Sequence, residues 1–231
     1  MEPMTILEAV ILGVVEGITE YLPVSSTGHL ILTTALLDLN DPPARKAAVD
    51  SYIIIIQGGA ILAVLGLYWR RVLDMIRGIL GQHPAGRRLF INLIIAFLPA
   101  AIFGVMLDEW IEARLFHAVP VLLALAVGGV VMIRLTGWQR KFFHERQDPD
   151  AEPEDAHAYT DIEHLTWRRA LIIGLLQCVA MWPGTSRSMM TIVGGMLVGL
   201  RPKAAAEFSF LLGLPTLGGA CVYKLAKSFG P

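Results

Sequence analysis

Charged residues are scarce in this chain. Asp, Glu, Lys and Arg make up 17% of its 231 residues, where a soluble domain carries about a quarter. Apolar residues reach 55% and mean hydropathy is +0.58, so an ordinary soluble domain is excluded. The apolar runs are continuous rather than alternating with polar residues, which excludes a transmembrane β-barrel. There is no basic tract and the formal net charge is −1, so nothing points to nucleic acid as a partner. The only two cysteines, Cys178 and Cys221, lie in apolar segments without metal-ligand spacing and read as small buried hydrophobes. The N-terminus lacks the basic region and cleavage site of a signal peptide and is expected to be retained.

What the chain does have is a series of apolar runs near the roughly 20 residues that a spanning helix needs. This predicts an all-α polytopic membrane protein, one membrane domain over 1–231. About four full transmembrane spans are expected, at 51–69, 89–107, 118–137 and 204–222. Between them the sequence predicts a polar loop at 38–50, where Pro42–Pro43 argues against helix. A basic connection follows at 70–88, then an acidic turn at 108–117 with Asp108, Glu109 and Glu112. The longest polar segment, 138–166, reads as a cytoplasmic linker. Its histidines (His144, His157, His164) are too irregularly spaced among solvated charges to read as a metal cluster.

Two further segments, 4–37 and 168–199, each read as a pair of short helices interrupted by a proline, Pro23 and Pro183. A break at membrane depth is tolerated only where it is buried in protein or lines a cavity, so both are expected to be re-entrant helical hairpins. Gly13–Val14–Val15–Glu16 before Pro23 is echoed by Gly174–Leu175–Leu176–Gln177 before Pro183. The Arg-rich 70–88 segment and the basic flanks of the linker (Arg140, Lys141, Arg168, Arg169) belong on the cytoplasmic side. The acidic turn is then outside, and the two hairpins enter from opposite sides. That is an inverted-topology repeat, repeat 1 over about 1–107 and repeat 2 over about 168–231, whose broken helices meet near the midplane.

Polar residues concentrate at those two breaks, in EGITEYLPVSSTGH at 16–29 and PGTSRSMMT at 183–191. Polar groups at membrane depth are expensive and mark function. Glu16 and Glu20 are four apart and share a helix face. Two such carboxylates repel in low dielectric unless a proton or a cation intervenes, and a hard divalent ion, Mg²⁺ or Ca²⁺, suits these oxygens. Helix-end charges facing the interface are the plainer alternative. Ser25, Ser26 and Thr27 open the next half-helix, where N–H donors and the dipole favour phosphate oxygens, although simple capping accounts for at least one of them. His29, three residues after Ser26, is either a packing residue or a proton-transfer group. Arg187 cannot be neutralised and needs an anion, either a buried carboxylate or a substrate phosphate. Ser186, Ser188 and Thr191 surround it with hydroxyls. The two clusters together compose a pyrophosphate site.

These two stretches resemble the motifs of the undecaprenyl pyrophosphate phosphatase family, the bacitracin-resistance type of integral-membrane phosphatase. EGITEYLPVSSTGHL at 16–30 resembles its glutamate-rich motif and PGTSRSMMT its PGxSRSxxT motif. The resemblance implies removal of the terminal phosphate of undecaprenyl pyrophosphate in the bacterial inner membrane, which recycles the lipid carrier for envelope glycans and confers bacitracin resistance. It implies that Glu16 and Glu20 are metal-linked and essential, and that Ser26 or His29 supplies the nucleophile or proton transfer. It also implies that Ser186, Arg187 and Thr191 bind phosphate, in a site near the midplane opening to the periplasm. The choice between serine, histidine and water as nucleophile stays open. The implied partners are the polyprenyl pyrophosphate and the bilayer, with a homodimer compatible. Met189 stands where many members have Gly, and members typically continue for about two more spans, so a truncated chain or dispensable last helices are expected. The unrelated phosphatidic-acid type of lipid phosphatase is echoed only by Thr27–Gly28–His29 and Ser186–Arg187, and no histidine follows Arg187. A carrier of phosphate or lipid phosphate is the rival class; it would need Arg187 but not two adjacent glutamates.

Overall fold

The computed structural model of the protein describes residues 4–144 and 160–229. The centre of the expected linker, with His157, lies outside the described residues. Nine α-helices are described: α1 (Ile6–Thr19), α2 (Ser26–Leu36), α3 (Pro43–Leu67), α4 (Trp69–Ile79), α5 (Pro84–Leu115), α6 (Ala118–His144), α7 (Trp167–Gln177), α8 (Arg187–Leu197) and α9 (Pro202–Phe229). Short 3₁₀ turns at Ile162–His164 and Cys178–Met181 precede and follow α7.

Local chemistry sets the helix starts. A capping box opens α1: Thr5 N donates to Glu8 Oε2 at 2.7 Å, and Glu8 N donates to Thr5 Oγ1 at 3.3 Å. The other Glu8 oxygen accepts from Arg45 at 2.8 Å, tying the starts of α1 and α3 together. The expected break at Pro23 is present, with the chain outside helix between α1 and α2.

Four expectations are corrected. The 38–50 loop is shorter, because α3 begins at Pro43; a proline at the first helical position surrenders only an N–H that has no intrahelical partner. The basic connection 70–88 is largely helical. Arg70, Arg71 and Arg77 lie on an amphipathic helix, α4, which leaves Trp69, Leu73 and Ile76 exposed and buries Met75 and Gly78, while Arg87 and Arg88 fall at the start of α5. The acidic turn is also helix: α5 continues through Asp108, Glu109 and Glu112 to Leu115, and the chain turns only at 116–117. The linker is likewise narrower than 138–166, since α6 runs on to His144 and Thr160 N bonds the Gly199 carbonyl at 2.8 Å.

α5, α7, α8 and α9 pack around the larger core, which includes Leu93, Ala96, Ile173, Phe208, Leu211 and Leu212. Leu12, Leu30, Leu39 and Val49 form a smaller core among α1, α2 and α3. Backbones approach closely where residues are small: a Cβ on Gly174 of α7 would lie 2.3 Å from the Ala96 carbonyl oxygen of α5. The outer faces stay apolar, with Ile55, Leu62, Met106, Val127 and Ile133 exposed. Among the described residues, three helical stretches are long and apolar enough to cross a membrane, Arg45–Leu67, Pro84–Leu115 and Pro202–Lys224, and Ala118–Arg134 is a shorter apolar stretch of α6. This is a polytopic helical membrane protein.

Candidate active site

The breaks in the two short-helix pairs meet. Glu20, the C-cap of α1, places Oε1 3.0 Å from Arg187 Nη2 in the first turn of α8. Its other oxygen, Oε2, accepts from Ser26 Oγ at 2.5 Å. Next to this bridge, Ser188 Oγ donates to the Leu22 carbonyl at 2.8 Å. One carboxylate therefore holds a cation from one break and a hydroxyl from its own. The Glu20 and Arg187 side chains are only 6% and 13% exposed, so their attraction is weakly screened.

Serine caps build both half-sites. Ser25 is the N-cap of α2, accepting from Gly28 N at 3.3 Å; Ser186 is the N-cap of α8, accepting from Met189 N at 3.2 Å. Ser25 has φ +67°, a left-handed conformation that costs a non-glycine residue about 1–3 kcal/mol. It is held there by its cap bond and by His29 Nδ1, which lies 2.8 Å from its carbonyl oxygen. A carbonyl only accepts, so Nδ1 carries the proton and Nε2 of the neutral ring is the free acceptor. Gly184, at φ +95°, makes the second turn possible: a Cβ there would lie 2.5 Å from the Val121 carbonyl oxygen.

The remaining expected residues divide by what they touch. Thr27 lies half-buried in the first turn of α2. Ser186 and Ser188 are 3.0 Å apart, Oγ to Oγ. Thr191 is fully buried, with its hydroxyl 2.6 Å from Ser209 Oγ and 2.9 Å from the Arg187 carbonyl oxygen. The hydroxyls of Ser188 and Thr191 thus have protein partners that seat α8 against Leu22 and α9. Arg187 Nη1 donates to the Ser209 carbonyl at 3.0 Å.

Glu16 is 1% exposed, and neither of its oxygens has a hydrogen-bond partner. A bare, buried carboxylate one turn from Glu20 is a donor set that fits a hard cation. No group of three or more His, Cys, Asp or Glu gathers among the described residues, so further ligands to such an ion would be hydroxyl or carbonyl oxygens, water or substrate.

Sequence reasoning missed several neighbours. Tyr21 donates to the Ala60 carbonyl and packs edge-on against Phe210, ring centroids 5.2 Å apart. Ser209 and Gly213 of α9 receive the Arg187 guanidinium. Their only sequence signal was a serine and a glycine inside an apolar span.

A buried carboxylate, guanidinium and hydroxyl, joined across two helix breaks in an apolar bundle, define a polytopic membrane protein with a buried charged site. The family model described as bacitracin resistance protein BacA matches residues 9–230, and the chain belongs to that family. It is 45% identical over 228 residues to undecaprenyl-diphosphatase 2 of Rhodospirillum rubrum, covering 99% of this chain and 76% of that protein. It is 47% identical over 224 residues to undecaprenyl-diphosphatase 1 of Pseudomonas fluorescens, covering 97% and 74%. A third relative, the undecaprenyl-diphosphatase of Sorangium cellulosum, is 47% identical over 221 residues, covering 96% of this chain and 66% of that protein.

Proposed function

We propose that this protein hydrolyses undecaprenyl pyrophosphate to undecaprenyl phosphate and inorganic phosphate. This activity regenerates the lipid carrier of envelope glycan synthesis and confers resistance to bacitracin. The observation that carries the reading is the Glu20 carboxylate, shared between Ser26 at 2.5 Å and Arg187 at 3.0 Å.

That geometry favours Ser26 as the nucleophile. Ser26 Oγ gives its proton to Glu20 Oε2 and attacks the terminal phosphorus, while the bridging P–O bond breaks and the lipid monophosphate departs with the electron pair. Glu20 passes the proton to the departing lipid phosphate, then takes one from the water that attacks the phosphoserine phosphorus and returns it to Ser26 Oγ as the Oγ–P bond breaks and inorganic phosphate leaves. Arg187 exchanges its carboxylate partner for the terminal phosphate, two of whose oxygens its planar fork matches. His29, with Nε2 free to accept, is a second route for the proton. Ser25, Thr27 and Ser186 offer the helix-start donors nearest the phosphates, and Ser188 and Thr191 keep Arg187 in register. Glu16, with Glu20, would hold a divalent cation, Mg²⁺ or Ca²⁺, which when bound neutralises pyrophosphate charge.

The same reading places the site in the bacterial inner membrane. α1–α2–α3 and α7–α8–α9 are the two repeats, with α1–α2 and α7–α8 as re-entrant hairpins meeting near the midplane. Matching serine caps and the packing of α3 on α9 support this. Arg71 and Arg88 meet Glu163 at one end, and Asp108 meets Lys227 at the end where α5 and α9 finish. The arginine-rich end is cytoplasmic, so the first hairpin and the site open to the periplasm.

The test is phosphate release from a polyprenyl pyrophosphate in detergent micelles, with Mg²⁺ or Ca²⁺ and with a chelator. Release that is lost in Ser26→Ala supports serine attack. Activity surviving in Ser26→Ala assigns attack to water, and liposome flux without any hydrolysis would replace the enzyme by a carrier.

A further inference from the structure

Five buried side-chain nitrogen and oxygen atoms lack a hydrogen-bond partner among the described residues: both oxygens of Glu16, Nε of Arg187, Nε of Arg45 and Nε2 of Gln177. Glu16 and Arg187 belong to the site, and Arg45 is the partner of Glu8. Gln177 has no role so far. It is 2% exposed, and a bare amide in an interior is costly unless something binds it.

Two independent relations place Gln177 beside the pyrophosphate. The first runs along α9, where Ser209, Gly213 and Thr216 share one face. The Ser209 carbonyl accepts from Arg187 Nη1 at 3.0 Å, and a Cβ on Gly213 would lie 3.2 Å from Arg187 Nη2. Thr216, about 4.5 Å further along the helix axis, is 3.4 Å from Gln177 Oε1. The Gln177 amide is thus about one helical turn from the guanidinium, on the same stripe. The second relation is the repeat. The register that matches the cap Ser25 with Ser186 also matches Ser26 with Arg187, and Glu16 with Gln177. Ser26 and Arg187 bond the two oxygens of one carboxylate, so Gln177 flanks that carboxylate in its half as Glu16 does in the other.

Thr216 holds this amide loosely. Its single proton also has the Leu212 carbonyl, at 2.7 Å, and either rotation of the amide leaves one end bare. Next to an anion that end is the NH₂. We propose that Gln177 is a substrate-binding residue whose NH₂ donates to a non-bridging oxygen of the phosphate group held by Arg187, whether lipid-borne or free. The proposal rests on the phosphatase reading. An amide suits the position because a third carboxylate would repel the pyrophosphate, whereas the amide keeps the shape and supplies a donor.

Farnesyl pyrophosphate in micelles and inorganic phosphate as a competing product are the probes. Gln177→Met removes the donor at similar volume. Gln177→Glu keeps the acceptor facing Thr216 and is close to isosteric, so it serves if the first variant does not fold. Either substitution is expected to lower kcat/KM about 10- to 100-fold, mainly through KM, with the phosphate inhibition constant rising in step and the melting temperature little changed. A folded variant with wild-type KM and wild-type phosphate inhibition overturns the proposal, as does a variant that only loses melting temperature. If the wild type itself hydrolyses no lipid pyrophosphate, the phosphatase reading fails instead. Calorimetric titration of inorganic phosphate into wild type and variant then judges Gln177 alone, and equal affinities would refute it.

Discussion

Glu20→Gln strands the Arg187 guanidinium inside the bundle, and the size of that effect follows from the geometry. The two groups are 3.0 Å apart with side chains 6% and 13% exposed. Removing one partner from a pair so buried costs about 3–5 kcal/mol, where an exposed pair costs about 0–1 kcal/mol. Arg187 keeps the Ser209 carbonyl at 3.0 Å, and the new amide oxygen still accepts from it, so a loss near the lower end, about 3 kcal/mol, is expected. Arg187→Met strands Glu20 in turn, with only the Ser26 bond remaining. The double variant has no charge left to strand, so its loss falls short of the sum of the single losses by about 1–3 kcal/mol. Reversible unfolding in detergent, followed by tryptophan fluorescence, measures all three. In a chain of this size each kcal/mol moves the midpoint by about 2–4 °C. Strictly additive losses would show that the two residues do not meet, and the joined site would be wrong.

Three further outcomes follow from the structure. Gly174→Ala drives a methyl to 2.3 Å from the Ala96 carbonyl oxygen; parting α7 from α5 costs about 1–3 kcal/mol or more, which outweighs the roughly 1 kcal/mol gain in helix propensity, so the melting temperature falls. The Arg71 guanidinium, 2.8 Å from Glu163, holds that carboxyl below its ordinary value of 4.5. The contribution is therefore complete above about 4.5 and is lost as pH falls through the lowered folded value; proteolytic protection of 160–166 should decay over that acid range, and Arg71→Gln should flatten the dependence. Glu16→Gln should abolish saturable Mg²⁺ or Ca²⁺ binding measured by calorimetry, while cation binding equal to wild type would move the ion elsewhere.

The half of the site built from helix starts was readable because caps and breaks are local. Ser25 and Ser186 follow their turns directly, and a lone arginine with two glutamates in lipid-compatible sequence had to find partners. The Glu20–Arg187 meeting at 3.0 Å is that requirement met. Elements ruled by tertiary context were not readable. Arginine-rich 70–88 suggested a loop because charge was counted without its helical period, which hides α4. Asp108, Glu109 and Glu112 suggested a turn, yet charge alone does not end a helix and α5 runs through them. Pro43 suggested a break where it is a first helical residue. The contact between the Thr191 and Ser209 hydroxyls across α8 and α9 is one that no spacing within either helix announces. Gln177 was visible only as an echo of Glu16, and its bare amide needed the packed interior to become apparent.

The central claim is that one buried carboxylate couples Ser26 and Arg187 for phosphoryl transfer, and its most direct test is the rate of phosphate release from undecaprenyl pyrophosphate by wild type, Ser26→Ala, Glu20→Gln and Arg187→Ala. The predicted result is release by the wild type and losses of about 100-fold or more in each variant, with Glu20→Gln combined with Ser26→Ala little worse than either alone. Near-wild-type release in Arg187→Ala, or fully multiplicative losses in the combination, would contradict it.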